Sequence, residues 1–168
     1  ILHARDYGRE DWLWFCLGSR YPIIVLIYFG IGTNLGDREA NLREALQLLD
    51  ERVGEQLACS SVYRSSPMGF VSDNEFANIV AVYETEYSPE EVLLITQQIE
   101  REMGRTQKSV NGVYHDRVID IDLLQVTHHS SLITHHSSTL TLPHPRMQER
   151  DFVMIPLREA ENALNTKL

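Results

Sequence analysis

An alternation of acidic and apolar residues at positions 119–124 constrains the fold of this chain more than any other feature. Asp120 and Asp122 alternate with two isoleucines in a run rich in β-branched residues, which predicts a strand. Side chains two positions apart on a strand project from the same face, so both carboxylates share one face while Ile119 and Ile121 point into a core. The chain is therefore expected to build a sheet with one packed face and a polar site on the other. An acidic edge strand facing water is the alternative.

The two carboxylates also indicate what such a site would bind. Side by side on one strand face, they repel each other unless a cation lies between them. Oxygen ligands of this kind suit Mg²⁺, which takes one or two carboxylates and completes its coordination shell with water and substrate phosphates. We therefore predict that Asp120 and Asp122 hold magnesium in a metal-nucleotide site.

Basic residues cluster in the segments that flank the acidic strand. The chain has 15 lysines and arginines, and a large share of its basic side chains lies in these segments: Arg105, Lys108, Arg117, His144, Arg146 and Arg150. This composition suits phosphoryl transfer, because metal bridges phosphate oxygens and cations neutralise charge on the transferred and leaving groups. Surface ion pairing is the alternative. The sequence has no Walker-type phosphate loop, so an ATP site here would use side chains and metal.

The periodicity of the chain predicts alternating strands and helices. We expect strands at residues 23–30, 56–64, 76–83 and 117–126, and helices at residues 38–52, 89–103 and 148–160. Asp37 and Ser88 are the predicted N-caps of the first two helices, and Pro89 suits the first helical position. The order β-α-β-β-α-β predicts an α+β, ferredoxin-like sandwich with an antiparallel sheet, extended by a C-terminal hairpin and helix.

Length, charge and cysteine content limit the classes of protein to which this chain can belong. At 168 residues the chain is long enough for one domain with a substantial core. Its formal charge of −9 argues against a nucleic-acid partner, because such proteins usually show a basic footprint. Cys16 and Cys59 are too few for a disulfide framework and predict a reduced, cytoplasmic location. The apolar run at residues 23–31 is about half the length of a bilayer span, so no membrane association is expected.

The first 21 residues differ in character from the rest of the chain. Their arginines and aromatic residues suggest a targeting peptide, but Asp6, Glu10 and Asp11 interrupt the pattern and no sustained apolar region is present. We expect residues 1–21 to form a poorly ordered extension and residues 22–168 to form a single domain. A docking arm for a partner is the alternative for the extension.

Four sequence blocks together resemble a known enzyme family. They are GIGTNLGD from residue 30, YRSSPMG with FAN from residues 63 and 76, EREMGR with RVIDIDLL from residues 100 and 117, and PHP with RDF from residues 143 and 150. In this order and spacing they resemble the 6-hydroxymethyl-7,8-dihydropterin pyrophosphokinase family over about residues 24–158. The resemblance implies an ATP-dependent diphosphotransferase of folate biosynthesis that acts on the hydroxymethyl group of the pterin and releases AMP. It also implies a monomer whose partners are these two small-molecule substrates.

The resemblance assigns binding roles to particular residues. Phe76 and Asn78 alternate at the start of a predicted strand, so they share a face on which a ring can stack and an amide can read a heterocycle's edge. Core packing is the alternative for the phenylalanines. The resemblance places the pterin among Ser65, Pro67, Met68, Phe76, Asn78 and Phe152. It places the nucleotide near Gln97, Glu100, Tyr114, Ile121, Thr141, His144 and Arg150.

Catalysis is the other part of what the resemblance implies. The catalytic residues would be Arg105, Lys108 and Arg117, with the first two on a mobile loop that closes over the phosphates. Asp120 and Asp122 would share two Mg²⁺ ions with those phosphates. The expected reaction is in-line attack of the pterin hydroxymethyl oxygen on the β-phosphorus of MgATP. Positioning and electrostatics would carry this reaction without a dedicated general base.

Several positions depart from the family pattern. Gln107 stands where a second loop arginine is common, and Tyr114 is the nearest aromatic residue to a common loop tryptophan. His115 and Asp116 replace a small pair, and Phe76 replaces a tyrosine. Gln107 and the altered loop predict weaker loop catalysis, whereas Phe76 loses only a hydroxyl. A slow or inactive pterin- or nucleotide-binding relative with a regulatory role is therefore the alternative function. A ligand sensor or RNA-binding module of the same fold would not need the acidic pair and the arginines together.

A near-tandem repeat and a polar tail complete the chain. Residues 127–138 read THHSSLI and then THHSS, and four histidines this close suggest a Zn²⁺ site. Without cysteines or carboxylates among them, a solvated hairpin loop is the favoured interpretation. The polar residues at positions 159–168 predict that the last helix frays.

Overall fold

Eight strands and three helices make up residues 23–105 and 114–167, the part of the chain that the computed structural model describes. The strands are β1 (Val25–Thr33), β2 (Glu55–Cys59), β3 (Tyr63–Ser65), β4 (Phe76–Thr85), β5 (Asp120–His128), β6 (Ser131–Ile133), β7 (His135–His136) and β8 (Thr141–Leu142). The helices are α1 (Arg38–Arg52), α2 (Pro89–Glu102) and α3 (Asp151–Lys167), and a 3-10 turn spans Met147–Glu149. The predictions for residues 1–21, and for most of the loop with Lys108, lie outside the described residues.

The central sheet has the order β2-β4-β1-β5-β6, and β3 pairs with β4 as well. Every neighbouring pair is antiparallel. β1 therefore lies between β4 and β5, and Gly32 pairs with Asn78 on one side and with Asp120 on the other. β7 and β8 form a separate hairpin before α3. The predicted mixed α and β class with an antiparallel sheet is confirmed.

Each face of the sheet has its own hydrophobic core. On one face, Ile119 and Ile121 are buried in a cluster with Leu49 of α1 and Ile99 of α2. On the other face, Val80 of β4 belongs to a cluster that α3 covers. The isoleucines of the acidic strand thus point into a core, as predicted. Their carboxylate neighbours are left on the face that α3 partly covers.

Both predicted helix starts carry the expected caps. The side chain of Asp37 accepts a hydrogen bond from the backbone N–H of Ala40 at 3.0 Å. Ser88 and Glu91 form a capping box, in which each side chain accepts from the other residue's backbone N–H. Such a cap stabilises a helix by about 1 kcal/mol. Gly104 ends α2 with a φ of +97°, a conformation that favours glycine.

One predicted strand is divided in two. The segment expected as a single strand at residues 56–64 forms β2 and β3, with Ser60 between them. The backbone N–H of Ser60 donates to Val80 O at 2.8 Å, and its hydroxyl accepts from Val80 N–H at 2.9 Å. Ser60 thus makes hydrogen bonds with both the N–H and the C=O of Val80. Because the two residues are far apart in the chain, no local sequence pattern predicts this pairing.

The last helix is longer than predicted. α3 runs to Lys167 instead of fraying after residue 160, because Leu164 is buried against the sheet. The ammonium group of Lys167 donates to Leu57 O at 2.8 Å and fixes the final turn. No helix among the described residues is both long and apolar enough to cross a membrane.

The histidine repeat forms two hairpins. β5 turns into β6 through His129 and Ser130, whose φ angles are 47° and 64°. The predicted hairpin at this position is confirmed. In the second hairpin, His135 pairs with Glu90 of α2, and His136 Nδ1 lies 3.0 Å from the hydroxyl of Thr141.

Candidate active site

A cavity of about 400 Å³ opens at the end of the sheet where β1 finishes and β4 and β5 begin. The antiparallel register brings these three ends together. The cavity is lined by most of the predicted site residues, namely Ser65, Met68, Phe76, Gln97, Glu100, Arg105, Tyr114, Arg117, Asp120, Ile121, Asp122, His144, Arg150 and Phe152. Pro67, Asn78 and Thr141 are not part of its lining. Lys108 lies outside the described residues.

The acidic pair lies opposite two glycines of β1. Gly30 pairs with Asp122 and Gly32 pairs with Asp120. A Cβ at Gly32 would approach the Asn78 side-chain oxygen to 3.0 Å, and one at Gly30 would approach Leu124 to 3.2 Å. A side chain at either position would crowd these neighbours, and glycine leaves the face beside the carboxylates open.

The environment of the acidic pair favours an added cation. Burial, and then the neighbouring Asp120, raise the pKa of Asp122 to about 8, while Arg150 and Arg105 act in the opposite direction. Two carboxylates this close do not ionise together unless more positive charge is present. The donor set, two carboxylates open to a cavity, fits Mg²⁺. No group of three or more metal-ligating side chains occurs within residues 23–105 and 114–167, but magnesium needs only one or two carboxylates.

Arginines hold one member of the pair in place. Arg105 donates to one oxygen of Asp120, and Arg117 Nη1 donates to the other at 2.8 Å. Glu100, which is 5% exposed, accepts from Arg105 Nη1 at 2.8 Å and from the backbone N–H of Ile121 at 2.7 Å. The predicted nucleotide residue Glu100 thus also anchors α2 to β5 and orients a predicted catalytic arginine.

One wall of the cavity is aromatic. Phe76 at the start of β4 meets Phe70 edge-on, with ring centroids 6.3 Å apart. The guanidinium of Arg117 lies 5.6 Å from the centre of the Phe76 ring. Asn78 shares the face of Phe76, as predicted, since both approach Gly32. A flat apolar wall beside a cation suits a planar heterocycle.

Asn78 lies beneath this wall and does not line the cavity. It is 6% exposed, and its amide nitrogen donates to Tyr63 O at 3.1 Å and to the hydroxyl of Ser65 at 2.9 Å. Its carbonyl oxygen faces Gly32. The amide therefore fixes the hydroxyl of Ser65, which does line the cavity.

His144 and Arg150 also line the cavity. Burial, and then the charge of Arg150, lower the pKa of His144, so its ring is neutral at neutral pH. The backbone N–H of Arg146 donates to Nδ1 of that ring at 3.2 Å, which leaves the proton on Nε2. The Nε nitrogen of Arg150 is buried and has no hydrogen-bond partner among the described residues. A neutral donor and an unsatisfied guanidinium nitrogen together suit a phosphate oxygen.

Tyr114 and Thr141, two predicted nucleotide residues, make contacts with other side chains. The Tyr114 ring lines the cavity, and a Cβ at Gly69 would come within 3.1 Å of it. Its hydroxyl accepts from Arg146 Nη1 at 2.9 Å. Thr141 faces His136 in the β7–β8 hairpin. Whether either residue touches nucleotide stays a prediction.

Some lining residues carried no predicted role. They are Gly32, Ser66, Gly69, Phe70, Leu93 and Arg146. Arg146 stood out in the sequence only as one of the flanking basic residues. Phe70 and Leu93 have no polar group that would have set them apart from core residues. An acidic pair, an arginine cluster and an aromatic wall in one cavity suit phosphoryl transfer to a flat acceptor.

Comparisons with known proteins identify the family. The family model described as 7,8-dihydro-6-hydroxymethylpterin-pyrophosphokinase (HPPK) matches residues 28–162. A Porphyromonas gingivalis protein named 2-amino-4-hydroxy-6-hydroxymethyldihydropteridine pyrophosphokinase is 48% identical over 136 residues, 81% of this chain and 90% of that protein. A Bacillus subtilis protein of the same name is 37% identical over 135 residues, 80% of this chain and 77% of that protein. This chain belongs to the 7,8-dihydro-6-hydroxymethylpterin-pyrophosphokinase family.

Solved structures share the fold at low sequence identity. Plasmodium falciparum HPPK-DHPS, wild type with SDX-DHP, matches with a TM-score of 0.62 and 13% identity over 89% of this chain and 45% of that chain. A crystal structure of HPPK-DHPS in complex with substrates matches with a TM-score of 0.61 and 13% identity, over 88% of this chain and 44% of that one. This chain thus spans less than half of each of those solved chains, and the likeness concerns the fold alone.

Proposed function

We propose that the protein transfers a diphosphate group from ATP to the hydroxymethyl group of 6-hydroxymethyl-7,8-dihydropterin and releases AMP, a step of folate biosynthesis. Relatives named for this pyrophosphokinase activity support the assignment. The observation that carries it is the Asp120–Asp122 pair in a cavity lined also by Arg105, Arg117 and Arg150. Nothing among the described residues favours the inactive alternative.

The pterin ring is proposed to bind along the aromatic wall. Phe76 and Phe152 both line the cavity and supply flat apolar surfaces. Ser65, held by Asn78, presents a hydroxyl to the ring edge. Backbone groups around Pro67 and Met68 would complete the recognition. The hydroxymethyl group would then point toward the acidic pair.

ATP is proposed to enter from the side of α2 and the segment that follows β8. Gln97, Glu100 and Ile121 border this part of the cavity. His144 offers its Nε2 proton and Arg150 its buried Nε nitrogen to phosphate oxygens. Lys108 would reach the phosphates from the loop that follows Arg105.

Asp120 and Asp122 are the proposed magnesium ligands. The raised pKa of Asp122 supports this role, because a bound dication would allow both carboxylates to ionise. When bound, magnesium would neutralise phosphate charge and fix the path of the phosphate chain. Arg105 and Arg117, which already border Asp120, would lie beside the same phosphates.

The chemistry is a single in-line displacement. The hydroxymethyl oxygen forms a bond to the β-phosphorus while the bond from that phosphorus to the bridging α,β-oxygen breaks. That oxygen leaves on AMP, and the hydroxyl proton passes to solvent. Arg105 and Arg117 balance the charge that spreads over the phosphate oxygens, and the cavity walls hold the two substrates in line.

The fold is proposed to be ferredoxin-like. The order β2-β4-β1-β5, with α1 between β1 and β2 and α2 between β4 and β5, supports this assignment. β3 is then a short addition to β4, and the β7–β8 hairpin and α3 are the C-terminal extension. The monomeric state and the cytoplasmic location stay predictions.

Replacement of Asp122 tests the function and the metal site together. We expect Asp122→Ala to lower turnover by about a hundredfold or more, because metal and phosphate lose a ligand. Pterin binding, measured by calorimetry, should remain. Asp73→Ala, which removes an exposed carboxylate outside the cavity lining, is the matched control. Unchanged turnover in Asp122→Ala contradicts the metal assignment.

A further inference from the structure

Asp116 connects three chain segments next to Arg117, which lines the cavity. Its Oδ1 accepts from Asn34 Nδ2 at 2.7 Å, and its Oδ2 accepts from Asn74 Nδ2 at 3.0 Å. Asn34 follows β1, and Asn74 belongs to the loop of residues 66–75 between β3 and β4. Asn34 Nδ2 also donates to Asn74 O at 3.2 Å, so each of the three residues contacts the other two.

Asn34 links this network to a proposed catalytic residue. It is 2% exposed, and its backbone N–H donates to Arg117 O at 3.1 Å. Its side-chain oxygen accepts from the backbone N–H of Arg117 at 2.8 Å. The backbone of Arg117 is therefore fixed by the same residue that holds the Asp116 carboxylate.

The loop of residues 66–75 forms part of the aromatic wall. Ser66, Met68 and Phe70 line the cavity, and Met68 and Val71 are exposed to solvent. A loop with exposed apolar side chains has little burial to fix its position, so its polar anchors decide where the wall lies. Asn74 is one such anchor.

We propose that Asp116 is a positioning residue for the pterin, because its carboxylate holds the 66–75 loop at a fixed spacing from Arg117. This inference rests on the proposed function. A carboxylate accepts from both amides at once, whereas an asparagine at position 116 offers only one acceptor oxygen. Hydrogen bonds, foremost from Ser72 and then from Asn34 and Asn74, keep the pKa of Asp116 below its usual value. The carboxylate is therefore ionised at neutral pH and accepts through both oxygens.

A donor–acceptor swap tests the proposal. Asp116→Asn loses the acceptor for Asn74, and Asn74→Asp places two carboxylates against each other. The double variant reverses the direction of this hydrogen bond and keeps the acceptor for Asn34. Each single variant is expected to raise KM for the pterin about tenfold and to leave KM for ATP unchanged, because the wall shifts and the nucleotide side does not. The double variant should return to within about threefold of wild type.

The controls separate positioning from general damage. Asp73→Asn removes a charge from the same loop outside the network and should leave both KM values unchanged. Thermal unfolding establishes that each variant is folded. If a single variant does not fold, the double variant still tests the role of Asp116. A folded double variant with a tenfold higher KM for the pterin would overturn the proposal.

Other results would also overturn it. Single variants with wild-type pterin KM mean that the loop keeps its place without Asp116. Equal rises in both KM values mean a general loss of structure. Pterin affinity by calorimetry, in the presence of a non-hydrolysable MgATP analogue, gives the same test without turnover. If wild-type protein releases no AMP, the proposed function fails, while this affinity series still decides the role of Asp116.

Discussion

The surroundings of Asp122 disfavour the ionised form of its carboxyl group. It lies in the cavity beside a second carboxylate, and two arginines offset only part of the cost. Burial and Asp120 raise its pKa to about 8, so the metal-free protein keeps a proton on this carboxyl at neutral pH. This conflict between burial and charge favours binding of a cation beside the two carboxylates.

This conflict predicts how stability depends on pH. In the folded metal-free protein Asp122 keeps a proton that the unfolded chain loses above its ordinary pKa of 3.8. The free energy of unfolding should therefore fall as pH rises from about 4 to about 8. Asp122→Asn removes this dependence, because an amide does not titrate. In chelator, we expect the variant to melt several degrees above wild type at about pH 9, with the difference shrinking toward pH 4.

Thermal unfolding across this pH range provides the measurement. Asp73→Asn, which removes an exposed carboxylate, should follow the wild-type curve. If the melting temperatures of Asp122→Asn and wild type differ by the same amount at every pH, the pKa of Asp122 is not raised.

The sequence located the acidic pair because its signal is local. Alternation with Ile119 and Ile121 is enough to place Asp120 and Asp122 on one face. Arg146 was not assigned, because its contact with Tyr114 joins residues 32 positions apart in the chain. Such a contact follows from how loops pack, and no short pattern encodes it.

At the scale of elements, the loop between β3 and β4 depends on one glycine. Gly69 has a φ of +83°, a conformation that side chains rarely adopt, and a Cβ there would lie 3.1 Å from the Tyr114 ring. Gly36 has a similar φ of +68°, but a Cβ there would meet no atom within 4 Å. A side chain at either glycine would therefore strain the backbone, but only a side chain at Gly69 would also press on Tyr114.

This difference predicts distinct effects of alanine. Both Gly69→Ala and Gly36→Ala should lower stability by about 1 kcal/mol, because each forces alanine into a left-handed conformation. Only Gly69→Ala should lower kcat/KM for the pterin, by about tenfold, because it pushes Tyr114 away from the cavity wall. Steady-state kinetics and thermal unfolding measure both effects. Equal kinetic losses in the two variants would contradict a specific role for the Gly69–Tyr114 contact.

Element boundaries were predictable where a residue acts on its own neighbours. Asp37 and Ser88 cap the helices that directly follow them, so the sequence predicts both starts. The break at Ser60 depends on Val80, twenty residues away, and was missed. The length of α3 was misjudged from its polar composition, although Leu157 and Leu164 are two turns apart and both face the core.

At the scale of the whole molecule, the antiparallel order of the sheet creates the site. β1 ends where β4 and β5 begin, so residues far apart in sequence meet at one end of the sheet. The aromatic wall comes from the β4 side, the acidic pair from β5, and the proposed phosphate-binding groups from the segment before α3. The order of elements was predictable from periodicity. The spacing between the two sides of the cavity was not predictable from the sequence, because it depends on loops such as residues 66–75.

The nucleotide product distinguishes diphosphate transfer from every other fate of ATP at this site. Purified protein with MgATP should be assayed with and without 6-hydroxymethyl-7,8-dihydropterin, and the nucleotides separated and quantified. We expect AMP in equal amount to the pterin diphosphate, and only when both substrates are present. ADP in place of AMP, or no consumption of ATP with both substrates present, would contradict it.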